Sequence, residues 1–491
     1  MMRYLAYSMT VVALWTNPEV RADQPVSKDP RVQSNMALLE AWIESQMAYK
    51  GIPGMCVAIV HDQEVIFQRG FGYADLETKK PTTPDTLYRI ASHSKLFTAI
   101  SIMRLRDEGH LQLDDPVKKH LPWFQLKGLD KNAPTVTIRH LMTHSSGIPR
   151  EGGDQLLWTN FQFPTTETIM RHIKNQSAVF PAETRWKYSN LAFALLGEIV
   201  AAVADMPFDK YVERHIMKPL KMSASGVSLS SIDRKKLATG YGRRLPAGTR
   251  QALPVIDARG MAAAAGVTAS VSDMTRFVSW QFRLLNGDKT EVLRPSTLRS
   301  MQRIHWLDPK WNHGFGLTFI VYKQEDRMLV GHSGGFPGFL TATFISPEEQ
   351  LAVIVFSNSL DAQPYPGQPL SIVDRAFDWV GGAIAKAQAG PSSTAKHRKD
   401  RYKHLKGTYR CIWGDSQVME LDGQFVVINI THPHPKKTIS VLQPMDESRL
   451  RFRVTRGDPF VPLGERVSFL TDKDGNAHSM VLGRTKWSRV E

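Results

Sequence analysis

The stretch RIASHSKLFTAISIMRLRDEG, residues 89–109, predicts an amphipathic helix that opens with a serine and a lysine three positions apart. Its apolar residues recur three and four positions apart, and Gly109 is the expected stop. Ser92 and Lys95 would then share one face of the first turn, beside the positive end of the helix dipole. A lysine buried there loses its charge and becomes able to accept the hydroxyl proton. The pattern needs companions, because a lone S-x-x-K usually means a capping serine and a surface lysine.

Two further segments supply candidate companions. The first is Tyr188-Ser189-Asn190, just before an apolar helix, where a phenol with a pKa lowered by a nearby lysine could relay a proton. The amide of Asn190 could hold a substrate carbonyl. The second is His332-Ser333-Gly334, at the end of a strand-like run whose extended edge could align a peptide-like substrate. The N–H groups of Gly335 and Ser92 are candidate oxyanion donors.

These three elements resemble, in order and approximate spacing, those of the serine β-lactamases and penicillin-recognising peptidases, particularly the class C, D-aminopeptidase and esterase branch. Residues 71–75 (FGYAD), 137–149 (TIRHLMTHSSGIP) and 265–267 (AGV) look like further landmarks of that family. The resemblance covers roughly residues 33 to 388. It implies an α+β fold of the β-lactamase/transpeptidase type, an antiparallel sheet flanked by helices with a helical lobe.

The resemblance also implies roles by position. Ser92 is the expected nucleophile of an acyl-enzyme, and Lys95 and Tyr188 are the expected general acid and base. The reaction needs no metal or cofactor. The implied substrate-binding residues are Asn190, Ser333, Gly334 and Gly335.

His332, which we include among the catalytic candidates, departs from the family pattern. In β-lactamases a lysine at this position holds the carboxylate of the antibiotic. A histidine with an ordinary pKa of about 6.5 is mostly neutral at pH 7. The departure favours amide or ester substrates without that carboxylate, as in related D-aminopeptidases and esterases, over efficient β-lactam hydrolysis. D-amino-acid peptides, β-lactams and short-chain esters are the expected substrate classes.

Strand-like runs lie on both sides of a largely helical middle, which suggests one sheet built from both ends of a domain at residues 31–388. Helices near 32–49 and 372–387 would pack on that sheet. The predicted strands are 55–60, 64–68, 315–321, 327–330, 339–345 and 351–357.

A basic linker, residues 389–404, is expected to join this domain to residues 405–491, where only strand signals occur. The second domain is predicted to be a small β-barrel or sandwich, and it resembles the lipocalin-like tail of some relatives. By analogy with folds of this kind, it is expected to roof the cleft and restrict substrates.

The first 22 residues match the pattern of a secretory signal. Arg3 precedes a short, mostly apolar stretch from Tyr4 to Trp15, and small side chains precede an expected cleavage after Ala22. This pattern predicts a secreted or periplasmic protein, with an ordinary disordered start as the alternative. The apolar run is shorter than the roughly 18 residues of a membrane span.

The net charge of +15 invites a nucleic-acid partner, yet the basic residues are scattered and no nucleic-acid motif occurs. The dense run between Lys396 and Lys406 is typical of a solvated linker, with weak attraction to an anionic envelope as the functional alternative. The expected partner is a small-molecule or peptide substrate, and the oligomeric state is left open. Of the two cysteines, Cys56 lies in an apolar run and is expected in the core rather than as a nucleophile.

Rival interpretations use some of the same residues. Residues 331–335 fit G-x-S-x-G, which would make Ser333 the nucleophile of an α/β-hydrolase, although a strand rather than the required helix follows. His140 and His144 have the spacing of a helical metal pair, but a hydrogen-bonded structural role is favoured and no metal is expected. An acyltransferase using the same serine, or a non-catalytic sensor of cell-wall peptides, would also fit the fold.

Overall fold

The computed structural model describes residues 25–127, 133–152, 160–311, 313–390, 401–446, 448, 450–457 and 463–490. The predicted signal peptide at 1–22 lies outside the described residues, as does most of the predicted linker at 389–404. Both stay predictions.

Helices occupy mainly the middle of the chain, as predicted. The α-helices are α1 (Pro30–Lys50), α2 (Ser94–Asp107), α3 (Val117–His120), α4 (Ile138–Met142), α5 (Thr166–Ile173), α6 (Asn190–Ala204), α7 (Phe208–Val212), α8 (Ala262–Ala265), α9 (Val271–Asn286), α10 (Pro295–Gln302), α11 (Ile372–Ala376) and α12 (Gly382–Gln388). A 3₁₀ turn, Ala91–His93, precedes α2, and π-helical segments follow α7 (Glu213–Met217) and join α11 to α12 (Phe377–Gly381).

Strands lie at both ends of the first domain and throughout the second. Those of the first domain are β1 (Gly54–His61), β2 (Glu64–Asp75), β3 (Lys80–Pro81), β4 (Leu87–Arg89), β5 (Thr268–Ser270), β6 (Trp306–Leu307), β7 (His313–Phe315), β8 (Ile320–Gln324), β9 (Arg327–Phe336), β10 (Phe339–Ser346) and β11 (Leu351–Ser357). Those of the second are β12 (Gly407–Cys411), β13 (Gly414–Leu421), β14 (Gln424–Asn429), β15 (Ser440–Pro444), β16 (Arg451–Arg456), β17 (Arg466–Thr471), β18 (Ala477–Leu482) and β19 (Thr485–Arg489).

The main sheet joins both ends of the first domain, as the sequence predicts. Its nine antiparallel strands run in the order β3-β2-β1-β11-β10-β9-β8-β7-β6. The central strands β1 and β11 pair with Cys56 opposite Phe356, and both are buried on both faces. Alternate side chains therefore enter two separate cores. One core contains α2, α6 and α9, and the other contains α1, α11 and α12. Cys56 is fully buried in the first core, as expected.

The predicted strand at 315–321 is wrong in its middle. The chain forms β7 and β8 there, joined by a turn in which the N–H of Gly316 donates to the carbonyl of Phe319. A side chain on Gly316 would lie 2.2 Å from the carbonyl oxygen of Met301, and Thr318 has a φ of 81°. The alternation of apolar residues does not indicate this turn, because the turn depends on the close approach of Gly316 to the backbone of Met301 and not on hydropathy.

The C-terminal domain is a closed barrel, which settles the choice between barrel and sandwich. Its eight strands follow chain order from β12 to β19, and Tyr409 pairs with Arg489 to close it. Closure leaves no sheet edge open in this domain. An aromatic cluster of Tyr409, Phe425, Phe452 and Phe469 fills part of the interior.

The expectation that this barrel roofs the cleft is wrong. The outer side chains of β13 and β14 belong to the core that contains α1, on the sheet face away from Ser92. Asn35 of α1 donates to Asp422 at 2.9 Å, and Lys386 of α12 lies 3.2 Å from the same carboxylate. Apolar burial against α1 therefore decides where the barrel sits. The outer residues are Met419, Leu421, Val426, Ile428 and Ile430.

Among the described residues no single helix is long and apolar enough to cross a membrane. Taken together, α6 and the helical segment Phe208–Met217 are long and apolar enough, but the chain bends by 77° between them.

We predict that Ile428→Asp lowers the thermal unfolding midpoint far more than Leu470→Asp. Ile428 is fully buried between barrel and α1, whereas Leu470 is 44% exposed on the barrel wall. An unpaired carboxylate at the buried position should cost at least about 2 kcal/mol. Calorimetry of both variants tests this, and equal midpoints would contradict the docking.

Candidate active site

Ser92 lies in a constrained turn at the edge of the first core. It is the central residue of the 3₁₀ turn before α2, and Ala91 just before it has a φ of 52°, unusual for a residue other than glycine. The Ile90 N–H donates to the carbonyl of Val267, whose own N–H donates to the Ser94 hydroxyl. The segment at 265–267, a landmark of the resemblance, thus holds the turn that presents the serine.

Lys95 is fully buried and points at Ser92. Its Nζ lies 3.1 Å from Ser92 Oγ and donates to the carbonyl of Ala264 at 2.8 Å. It also lies 4.9 Å from the ring centre of Tyr188 and 5.5 Å from that of Phe193. Burial lowers the pKa of Lys95 well below its ordinary value. In the neutral form the amine can accept the serine proton.

Tyr188 completes the contacts to the serine. Its hydroxyl donates to Ser92 Oγ at 2.8 Å. The expectation that a nearby lysine lowers the pKa of this phenol is wrong, because burial raises the pKa of Tyr188 to about 12 and outweighs the effects of its hydrogen bond to Ser92 and of the charge of Arg150. A neutral Lys95 offers no charge to offset the desolvation. Tyr188 therefore keeps its proton at neutral pH and acts as a donor.

The ring of His144 packs against the ring of Tyr188, and the sequence did not predict this contact. The two ring centres are 4.3 Å apart, and His144 Nδ1 accepts the N–H of Ser189 at 3.1 Å. Burial lowers the pKa of His144 well below its ordinary value, so the ring is neutral. His140 instead lies 2.9 Å from Glu183. In the described part of the chain no group of His, Cys, Asp and Glu residues could hold a metal.

Asn190 reaches the site but has a different partner from the one expected. Its Nδ2 donates to Glu151 Oε1 at 2.8 Å, and its buried Oδ1 has no partner among the described residues. Arg150 lies 5.0 Å from the ring centre of Tyr188 and pairs with Glu151 at 3.3 Å. Nothing in the spacing of residues 150 and 151 signals this, since the fold alone brings them beside Tyr188.

His332 sits on β9, in the middle of the strand rather than after it. Its ring is buried, and Nδ1 donates to the carbonyl of Ser333 at 2.6 Å, because a carbonyl can only accept. Burial holds the pKa of His332 well below its ordinary value, and protonation of neighbouring His93 or Lys95 would lower it further. The side chain is therefore neutral near the lysine. The nucleophile elbow at Ser333 is excluded, since β9 continues to Phe336 and turns back into β10 without a helix.

Gly334 lets β9 pass directly against the serine turn. A side chain at Gly334 would lie 2.2 Å from the carbonyl oxygen of Ile90 and 2.5 Å from Thr341 Oγ1. At Gly335 the nearest atom would be the Tyr365 hydroxyl at 3.6 Å, an ordinary contact. Tyr365, also missed by sequence reasoning, donates to the Gly334 carbonyl at 2.9 Å.

Beyond Gly331 one edge of β9 has no strand beside it among the described residues. Pairing with β8 ends at Gly331, whereas pairing with β10 continues to Phe336. The extended edge expected from the sequence therefore exists at residues 332–336, where the chain passes Ser92.

Comparison with known proteins places these features in a family. The sequence model described as Beta-lactamase matches residues 39–376, which contain every element of the site. Penicillin-binding protein 4* of Bacillus subtilis (strain 168) is 25% identical over 453 residues, covering 86% of this chain and 93% of that protein. Protein flp of Staphylococcus aureus (strain MW2) is 27% identical over 322 residues, 65% of this chain, and the match spans only 62% of its length.

A solved structure agrees with the fold over both domains. The octameric penicillin-binding protein homologue from Pyrococcus abyssi has a TM-score of 0.61 and 24% identity, with 92% of this chain and 99% of that chain covered. At this identity the likeness speaks for the fold alone. By the match of the family's own sequence model, the chain belongs to the beta-lactamase family.

Proposed function

We propose that the chain is a serine hydrolase that forms an acyl-enzyme on Ser92 and acts on amide or ester substrates. The observation that carries the proposal is the position of Ser92 Oγ, 3.1 Å from Lys95 Nζ and 2.8 Å from the Tyr188 hydroxyl. A hydroxyl held between a neutral amine and a protonated phenol has both a proton acceptor and a proton donor in reach.

The proposed acylation uses these groups in sequence. Neutral Lys95 takes the proton of Ser92 as Oγ bonds to the substrate carbonyl carbon, and the N–H groups of Ser92 and Gly335 receive the oxyanion. When the intermediate collapses, Tyr188 gives its proton to the leaving nitrogen or oxygen and regains one from Lys95. Water then attacks the ester on Ser92 by the reverse proton path, releasing the acid.

The surroundings favour a peptide-like substrate without a carboxylate at His332. Neutral His332 offers no charge for such a group, unlike the lysine of the β-lactamases. The open edge of β9 can hydrogen-bond an extended acyl chain. A carboxylate elsewhere on the substrate would meet Arg150, whose side chain is largely exposed beside Tyr188. D-amino-acid peptides and short esters therefore rank ahead of β-lactams.

Transfer to an acceptor other than water would use the same acyl-enzyme and differ only in product. A non-catalytic binding role would need none of the contacts that Ser92 makes with Lys95 and Tyr188.

We predict one covalent adduct with a fluorophosphonate probe, lost in Ser92→Ala and kept in Ser333→Ala. Intact mass spectrometry of the three proteins measures it, and a parallel incubation with a penicillin tests that substrate class. Loss of the adduct in Ser333→Ala alone, or no adduct on any form, would contradict the proposal.

The acylation rate should rise with pH along a limb centred well below 10.4, the approximate pKa of a free lysine. The cause is burial, which keeps Lys95 in its accepting form at lower pH, while the pKa of about 12 at Tyr188 keeps the phenol protonated throughout. Labelling rates from pH 5 to 10 test this. Lys95→Arg, permanently charged, should react about 10²-fold to 10⁴-fold more slowly without that limb. A midpoint near 10.4 would contradict the assignment.

We predict that Gly334→Ala labels about 10²-fold more slowly, while Gly335→Ala stays within a few-fold of wild type. The first methyl group would push β9 away from the Ile90 carbonyl and the serine turn, and the second has room and keeps its N–H. Thermal unfolding checks that both variants fold. Equal rates in the two variants would show that the close passage of β9 is irrelevant to the chemistry.

A further inference from the structure

Side chains fill one end of the C-terminal barrel's interior, and a cavity occupies the other end. Along β14 the inward residues are Phe425, Val427 and Asn429, and only the first two belong to the barrel core. The same change occurs on β15, where Leu442 is core and Ser440 lines a cavity. Val427 and Trp487 belong to the packed core and also line the cavity, so they form the boundary between the two.

The cavity has a volume of about 1290 Å³, larger than a typical small-ligand site of roughly 300–1,000 Å³. Eight-stranded barrels either fill their interior with side chains or hold one small ligand. In this barrel, side chains fill part of the interior and a cavity large enough for a small ligand occupies the rest. The cavity opens to solvent, and all the described residues that line it belong to the barrel domain and none to the Ser92 site.

The walls combine apolar surface with polar groups that lack partners. Trp413, Val427, Leu482 and Trp487 supply apolar and aromatic area, and Trp413 is 72% exposed. The buried Ser440 Oγ and Trp487 Nε1 have no hydrogen-bond partner within the described residues. Unpartnered buried donors are rare and call for an explanation such as a bound group.

The charged residues of the lining are mainly cationic. The described lining contains three cations, Lys437, Arg466 and Arg484, and one carboxylate, Glu465, all of them exposed residues. His432 adds a titratable ring. No ion pair involves any of the three cations in the part of the chain that the structure describes. Clustered charge of one sign around a cavity with low-dielectric walls attracts a ligand of opposite sign.

We propose that this cavity binds an amphiphilic anion, with its apolar chain against Val427, Leu482 and the two tryptophans and its head group among Lys437, Arg466 and Arg484. A long-chain carboxylate and the phosphate head of a lipid share this chemistry. The site is separate from the proposed function, because its residues lie on the barrel and the barrel packs on the sheet face away from Ser92.

Calorimetric titration of the full-length protein with dodecanoate, below its micelle concentration, tests the site. We expect saturable binding of one equivalent, at least about tenfold weaker in Lys437→Gln/Arg484→Gln and abolished in Ser440→Phe, which fills the cavity. Arg453→Gln removes an exposed arginine of the same barrel that does not line the cavity, and should bind like wild type. Dodecyltrimethylammonium should not bind.

Further arms separate ligand source and catalysis. Comparable binding of dodecyl phosphate would point to a phosphate-headed lipid, and binding of dodecanoate alone to a free carboxylate. Either result supports the proposal. Ser92→Ala should bind dodecanoate like wild type, so loss of acyl-enzyme chemistry leaves this test intact. Absence of binding to wild type, equal binding of the cationic amphiphile, or unchanged binding in Lys437→Gln/Arg484→Gln with its fold verified by thermal unfolding would overturn the proposal.

Discussion

The site depends on the burial of the Lys95 amine in its uncharged form. Within the part of the chain that the structure describes, Lys95 has no carboxylate partner at its Nζ; it contacts a hydroxyl, one backbone carbonyl and two aromatic rings. These groups come from the 3₁₀ turn before α2, from α6, from α8 and from the segment before α6, so the helical lobe must assemble before the lysine is desolvated. Keeping it neutral costs folding free energy, which the surrounding apolar core offsets. The proton acceptor is thus a product of tertiary packing, and S-x-x-K alone cannot specify it.

A second constraint is the approach of β9 to the serine turn. The main sheet contributes β9 and the 3₁₀ turn before α2 contributes Ser92, and the two meet where Gly334 faces the carbonyl of Ile90. Tyr365 holds the Gly334 carbonyl from the loop after β11. The edge of β9 beyond Gly331 can face a substrate because β8 begins only at Ile320, the residue that pairs with Gly331. The absence of a side chain at Gly334 and the start of β8 at Ile320 therefore shape the edge of β9 beside Ser92.

Hydrophobic periodicity and turn signals predict the two-ended sheet and the barrel domain, because they are local signals. The family resemblance, carried by spaced motifs, predicts the fold class and the grouping of Ser92, Lys95 and Tyr188. It fails where backbone crowding or tertiary contact decides the outcome. The turn at Gly316 interrupts a run that looks like one strand, and the rise in the pKa of Tyr188 reflects desolvation that no motif encodes. Arg150, His144 and Tyr365 reach the site from loops, so their positions depend on tertiary contacts. The outward apolar residues of β13 and β14 have the pattern of ordinary barrel residues, and only the fold shows that they pack against α1.

The two faces of the main sheet separate two kinds of site. The face with α2 and α6 contains the acid–base chemistry, and the face with α1 carries the barrel and its cavity. Contacts do connect them: Arg375 of α11 donates to the Pro433 carbonyl and to His434 of the barrel, and the loop before α11 supplies Tyr365 to Gly334. Contact by itself transmits nothing, because coupling requires a ligand that favours one arrangement of these residues over another. Displacement of the loop that holds Tyr365 is one way in which a ligand in the barrel would change catalysis, since this loop links α11, which contacts the barrel, to the strand beside Ser92.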